Sequence, residues 1–86
     1  MSLEDTYKKK NLDVQQRVKR EMENIKSGLS RKNYQQLSTI LAELEMMINT
    51  KHLTLSYPRM IVDSWDFRDS LGLELLDLAE LYKRWK

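Results

Sequence analysis

The sequence has no cysteine and a single histidine, so a disulfide framework, a Cys-based zinc site and a thiol nucleophile are all excluded. One proline and two glycines in 86 residues are too few turn formers for an all-β barrel. No apolar run approaches the 18 residues of a membrane-spanning helix, so no span is expected. The N-terminal residues lack the apolar stretch of a secretory signal, which makes the expected location cytoplasmic. An excess of one charge is also missing. Fifteen Lys and Arg face thirteen Asp and Glu, leaving +2. Residues 1–43 carry nine basic and six acidic side chains, and residues 44–86 carry six and seven. Lys8, Lys9, Lys10, Lys19 and Arg20 are interleaved with Glu4, Asp5, Asp13, Glu21 and Glu23. That mixture reads as a solvated helix face and speaks against a nucleic-acid patch, where cations gather on one stripe.

What is present is 41% hydrophobic and 33% charged residues, too apolar for a disordered tail. The length implies one helical domain, residues 1–86, with a single core that buries about 60–65% of the unfolded surface. The first helix is predicted over residues 3–26, where Tyr7, Val14, Val18, Met22, Ile25 and Leu29 recur at helical steps. Gly28 supplies its stop. In the second helix Tyr34, Leu37, Leu41, Leu44 and Ile48 form a 3-4-3-4 seam, widened by Ile40 and Met47, with Ser30 or Asn33 as cap. The short link makes the two helices an antiparallel hairpin. The period breaks from Asn49 to Tyr57, and Pro58 suits the first turn of a short helix over 58–64. After a second break, Asp69 or Ser70 caps a last helix over 70–85, with Leu71, Leu75, Leu78, Tyr82 and Trp85 on one stripe. Leu73 and Leu76 fall on its other side, as in a helix that touches a partner. The fold class is therefore all-α: a small antiparallel helical bundle of two long helices in a hairpin, a short third helix and a C-terminal helix. Its expected core is Val14, Val18, Met22, Ile25, Leu37, Leu41, Leu44, Ile48, Ile61, Leu71, Leu75, Leu78 and Tyr82.

Candidate chemistry is sparse. His52 has no nucleophile or orienting group paired with it by spacing and reads as a helix C-terminal cation. Asp63, Asp66 and Asp69 are spaced like a carboxylate cluster on a continuous helix, but a helix break is expected near Asp66, and roles as a helix end and an N-cap explain Asp63 and Asp69 more simply. Phosphate-loop, HExxH and EF-hand patterns are absent. The expectation is a non-enzyme with no cofactor and no metal. Lys83, Arg84 and Lys86 complete a helix dipole at the C-terminal end.

The most informative stretch is residues 57–69, with three of the seven aromatics beside two Arg and three Asp. Aromatic and Arg side chains are enriched in protein–protein hot spots. The candidate partner-binding residues are Tyr57, Arg59, Trp65, Asp66, Arg68, Leu73 and Leu76, with Trp65 as the exposed anchor and Phe67 as a buried plug.

From Tyr34 to Trp85, the Leu-rich helix followed by YPRMIVDSWDF and DSLGLELLDLAELY resembles the short helical immunity proteins that bacteria encode beside peptide or nuclease toxins. The resemblance implies a cytoplasmic, non-catalytic protein that binds a toxin or its target. Several such proteins are strongly acidic, and at +2 this chain departs from them. The expected function is a protein-binding module, of immunity or regulatory-inhibitor type, whose partner is another protein. The alternatives are a nucleic-acid binder using Lys8, Lys9, Lys10, Arg17, Lys19 and Arg20, and a homodimer paired through Leu73 and Leu76.

Overall fold

Helix α1 (Leu3–Lys26) stops where glycine allows it to. Gly28 has φ of 78°, its N–H donates to the Ile25 carbonyl (3.1 Å), and the Leu29 N–H reaches back to Asn24 (2.7 Å). This is a Schellman ending, which satisfies the last carbonyls of the helix. Helix α2 (Tyr34–Asn49) starts at Asn33, whose side chain accepts from the Gln36 N–H at 3.2 Å. Helix α3 (Tyr57–Ser64) carries Pro58 in its first turn. Helix α4 (Ser70–Trp85) begins behind Asp69, which accepts from the Gly72 N–H at 3.0 Å. The computed structural model describes residues 3–50, 53–66 and 68–85, and among these there is no strand. His52 and Phe67 lie outside the described residues, as does the side chain of Trp85.

Helix α1 packs against both α2 and α4, and α3 fits against α2 and α4. Each helix contributes one apolar face to a shared core. Its fully enclosed residues include Tyr7, Val14 and Val18 from α1, Leu37, Ile40, Leu44 and Met47 from α2, and Tyr57 from α3, with Leu75, Leu78 and Tyr82 from α4.

Two expectations about this core are corrected. In α2 the enclosed residues are 37, 40, 44 and 47, whereas Leu41 and Ile48 are only half-buried. The helix has neighbours on two sides, α1 and α3, so the middle of its wide apolar stripe faces inward and 41 and 48 fall on the edge. In α1 the enclosed stretch ends at Val18, so Met22 and Ile25 are half-buried, and Leu29, beyond the glycine, is exposed. Tyr34, expected on the α2 seam, is exposed in the first turn beneath the Lys26 ammonium, 5.6 Å from the ring centroid.

The core also takes in polar groups, all of them partnered. Asn11 donates to the Leu44 carbonyl (3.1 Å) and to the Tyr7 hydroxyl (3.3 Å), and Gln15 donates to Asn11 Oδ1 (2.6 Å). Burying an amide is costly unless such bonds replace water. Among the described residues, no buried side-chain nitrogen or oxygen lacks a partner.

Candidate functional site

The functional candidates converge where the end of α3 meets the start of α4. Asp66 and Asp69 close a tight turn there, with the Asp69 N–H on the Asp66 carbonyl at 3.0 Å. The turn carries the chain back beside the first residue after α3, Trp65. That indole is half-buried and stands between two concavities.

On one side is an open polar cleft of about 450 Å³, lined by residues 30–33, Gln36, Ser64, Trp65, Asp66 and Asp69. Lys32 is its organising cation. The ammonium lies 2.7 Å from Asp69 Oδ2, 3.5 Å from Glu21 Oε1 and 5.3 Å from the centre of the Trp65 ring. Trp65 Nε1 donates to Gln36 Oε1 at 3.2 Å. Burial alone would raise the Asp69 carboxyl and lower the Lys32 ammonium. For Asp69 the Lys32 hydrogen bond and charge and the Gly72 and Leu71 N–H groups outweigh burial, so its pKa falls below the usual carboxylate value. For Lys32 the Asp69 and Glu21 carboxylates outweigh burial and its pKa rises. Both groups stay charged at neutral pH.

On the other side is a smaller, more enclosed apolar groove of about 180 Å³, lined by Ile61, Val62, Trp65, Asp66, Gly72, Leu73 and Leu76. Gly72 makes it possible. A Cβ there would stand 3.2 Å from Trp65 Cε3 and 3.4 Å from Ile61 Cγ2, so a larger residue would crowd the indole off the face of α4. Val62 and Leu73, exposed by 69% and 50%, form the lips of the groove.

Four of the seven expected residues, Trp65, Asp66, Leu73 and Leu76, line this one groove. Arg59 and Arg68 are not in its lining. They extend into solvent, near Asp63 (3.7 Å) and Asp66 (3.5 Å) respectively. Tyr57 must be removed from the surface set. It is fully enclosed, and its hydroxyl donates to the Leu75 carbonyl at 2.8 Å. A tyrosine at the start of a helix can point inward when its hydroxyl finds a carbonyl, and that pairing offsets the cost of burial. Trp65, expected as an exposed anchor, is half-buried instead, because Gly72 lets its ring lie against α4.

Sequence reasoning missed Lys32, Gln36, Val62 and Gly72. Gly72 did leave a signal, since a glycine inside a helix costs ~1 kcal/mol relative to alanine and often marks close packing. It also missed Glu43, which accepts from the Ser56 N–H (2.9 Å), the Tyr57 N–H (3.3 Å) and the Ser56 hydroxyl. Three of the α1 cations are tied to carboxylates: Lys8 to Glu4 and Lys10 to Glu74, both at 3.2 Å, and Arg17 to Glu74 at 3.9 Å. No family model, curated protein or solved structure shows significant similarity to this chain. Among the described residues no helix is long and apolar enough to cross a membrane.

Proposed function

We propose that this chain is a non-catalytic, cytoplasmic protein-binding module, of bacterial immunity or regulatory-inhibitor type, that engages another protein through the groove beside Trp65. The observation that carries the reading is the groove itself: an enclosed apolar slot with exposed Val62 and Leu73 lips beside a half-buried tryptophan. An aromatic anchor in an apolar pocket with a charged rim has the anatomy of an interface hot spot. Asp66 lines the groove, and the exposed pairs Arg59–Asp63 and Arg68–Asp66 stand on α3 and on the turn that follows it. The two tyrosines with strongly raised pKa values, Tyr7 and Tyr57, are sealed in the core, out of reach of any substrate. The arrangement behind the groove is read as an antiparallel α1–α2 hairpin. Asn11 near the start of α1 bonds to Leu44 near the end of α2, and Glu21 meets Lys32 at the opposite ends, which supports that reading.

The test is capture from native cell extract by immobilised wild-type chain and by Val62→Asp in parallel. A protein held by the wild type and lost by the variant supports the reading. Equal retention by both, or no specific protein retained, overturns it.

A further inference from the structure

Two features of α4 bear on what occupies the groove, given the reading that it is a protein-binding surface. The first is the position of the apolar lips. Exposed Leu73 and half-buried Leu76 lie three residues apart on one side of α4, with exposed Val62 of α3 beside them, so a helix laid along that side meets all three. Asp77, roughly 40° around the helix from Leu73, stays on the wet rim.

The second is the placement of charge at the two ends of the same helix. At the N-terminal end, in the turn before α4, stand Asp66 and Arg68, with their charged groups 3.5 Å apart. At the C-terminal end stand Glu80 and Lys83, 3.6 Å apart. All four side chains are more than half exposed. A 16-residue helix is about 24 Å long, so the two pairs bracket the apolar line. If a second α4 is laid antiparallel on the first, its C-terminal end falls against the N-terminal turn. Arg68 of one copy then meets Glu80 of the other, and Asp66 meets Lys83. The twofold axis repeats both contacts at the far end. The antiparallel arrangement also sets each helix dipole against the opposite pole of its neighbour. Asp69, the carboxylate nearest the incoming Glu80, is already neutralised by Lys32 at 2.7 Å.

We infer that the groove is occupied by a second copy of this chain, docked antiparallel along α4, with Leu73 and Leu76 at the centre and Asp66–Arg68 against Glu80–Lys83 at each end. This rests on the groove being a protein-binding surface, and it puts a second copy of this chain in the groove in place of the separate protein of that reading.

Sedimentation of the purified full chain over a concentration series tests it, with thermal melts confirming that each variant is folded. The wild type is expected to pass from monomer to dimer, and Leu73→Glu to remain monomeric at the same concentrations. Arg68→Glu and Glu80→Arg are each expected to weaken the dimer about tenfold, because each reversal acts at both symmetry-related ends. The double variant is expected to recover most of the loss, a rescue that non-specific association does not give. A wild type that is monomeric at every concentration overturns the inference, as does a dimer indifferent to Leu73→Glu or a double variant no better than the singles. The broader reading fails separately. If the chain is monomeric but still captures a different protein in a Val62-dependent way, only the identity of the partner is wrong. If Val62→Asp alters neither capture nor self-association, the groove is not a binding surface.

Discussion

Around the end of α2 and the start of α1, Tyr7 and Tyr82 lie with ring centres 5.7 Å apart, both fully enclosed, with Tyr57 buried behind them. Around the start of α2, Trp65 keeps one edge in solvent between its cleft and its groove. Tyr82 and Tyr57 direct their hydroxyls at backbone, while the Tyr7 hydroxyl accepts from the buried Asn11 amide. The Tyr82 hydroxyl donates to the Thr50 carbonyl and accepts from the Leu53 N–H at 2.9 Å, while Tyr57 donates to Leu75. Trp65 instead meets side chains, Gln36 and Lys32, which belong to a solvent-facing cleft and can exchange partners. An aromatic bonded to backbone fixes where helices and links run. One bonded to surface side chains can be rearranged by a ligand without unfolding the bundle.

The sharpest way to break this comparison is in the core itself. Leu44→Ala is expected to cost ~2–5 kcal/mol in denaturant melts, whereas Leu41→Ala, at the half-buried edge, should cost less. Equal losses would show that the inward face of α2 is misassigned. Next in size is Tyr82→Phe, which leaves the Leu53 N–H and the Thr50 carbonyl without their partner and should cost about 1–3 kcal/mol. Alkaline titration probes the same region. Burial, with a smaller push from Tyr82, raises the Tyr7 pKa to about 12 against the lowering effect of Asn11, and burial raises Tyr57 further. The unfolded chain releases these protons near pH 10, so the stability they contribute is complete below that and drains away as pH rises toward 12. Tyrosinate absorbance from these residues should therefore appear together with unfolding.

At the tryptophan end the expected effects are smaller. Asp69→Ala removes the cap of α4 and the main partner of Lys32, at a cost of ~0.5–2 kcal/mol at neutral pH. Because its folded pKa is depressed, the Asp69 contribution is present above the normal carboxylate range and is lost as pH falls through the folded value. Melts of wild type and variant should converge in acid. A gap that persists there would mean that Asp69 acts by packing. The smallest effect belongs to the groove lip, where Leu73→Gln, melted at concentrations that keep the chain monomeric, should change stability by less than ~0.5 kcal/mol. A larger loss would make Leu73 a core residue and weaken the distinction between the two ends.

Much of the helical layout was legible in the sequence because its signals are local. Gly28, Asn33 and Asp69 act within a few residues of the helix ends they mark, and residues 3–26 and 70–85 form helices with the expected bounds. Pro58 placed α3 to within one residue. The groove was legible only in part. Leu73 and Leu76 stood out by periodicity, but their meeting with Trp65 depends on how two helices turn against each other, which no spacing within one helix records. Tyr57 was misplaced for a related reason: the Leu75 carbonyl that receives its hydroxyl is 18 residues away. Nothing in the sequence singles out Asn11 as a core position, because the Leu44 carbonyl that receives its amide is 33 residues away, and Gln15 is buried by bonding to Asn11 in turn.

Glu43 gives this dependence a direction in time. The first turn of α3 takes no cap from its own Ser56 side chain, and a carboxylate on α2 receives the Ser56 and Tyr57 N–H groups instead. An eight-residue helix is too short to hold together alone, since nucleation costs more than so few turns return. Its formation is therefore conditional on a folded α2. During folding α3 is expected to assemble late, on a surface built by α2 and α4. A peptide of residues 53–66 should be a coil in water, and Glu43→Gln should loosen amide-exchange protection in α3 before it does so in α2. The α3 wall of the groove, with Ile61 and Val62, is thus conditional on one carboxylate that lies outside the groove's lining.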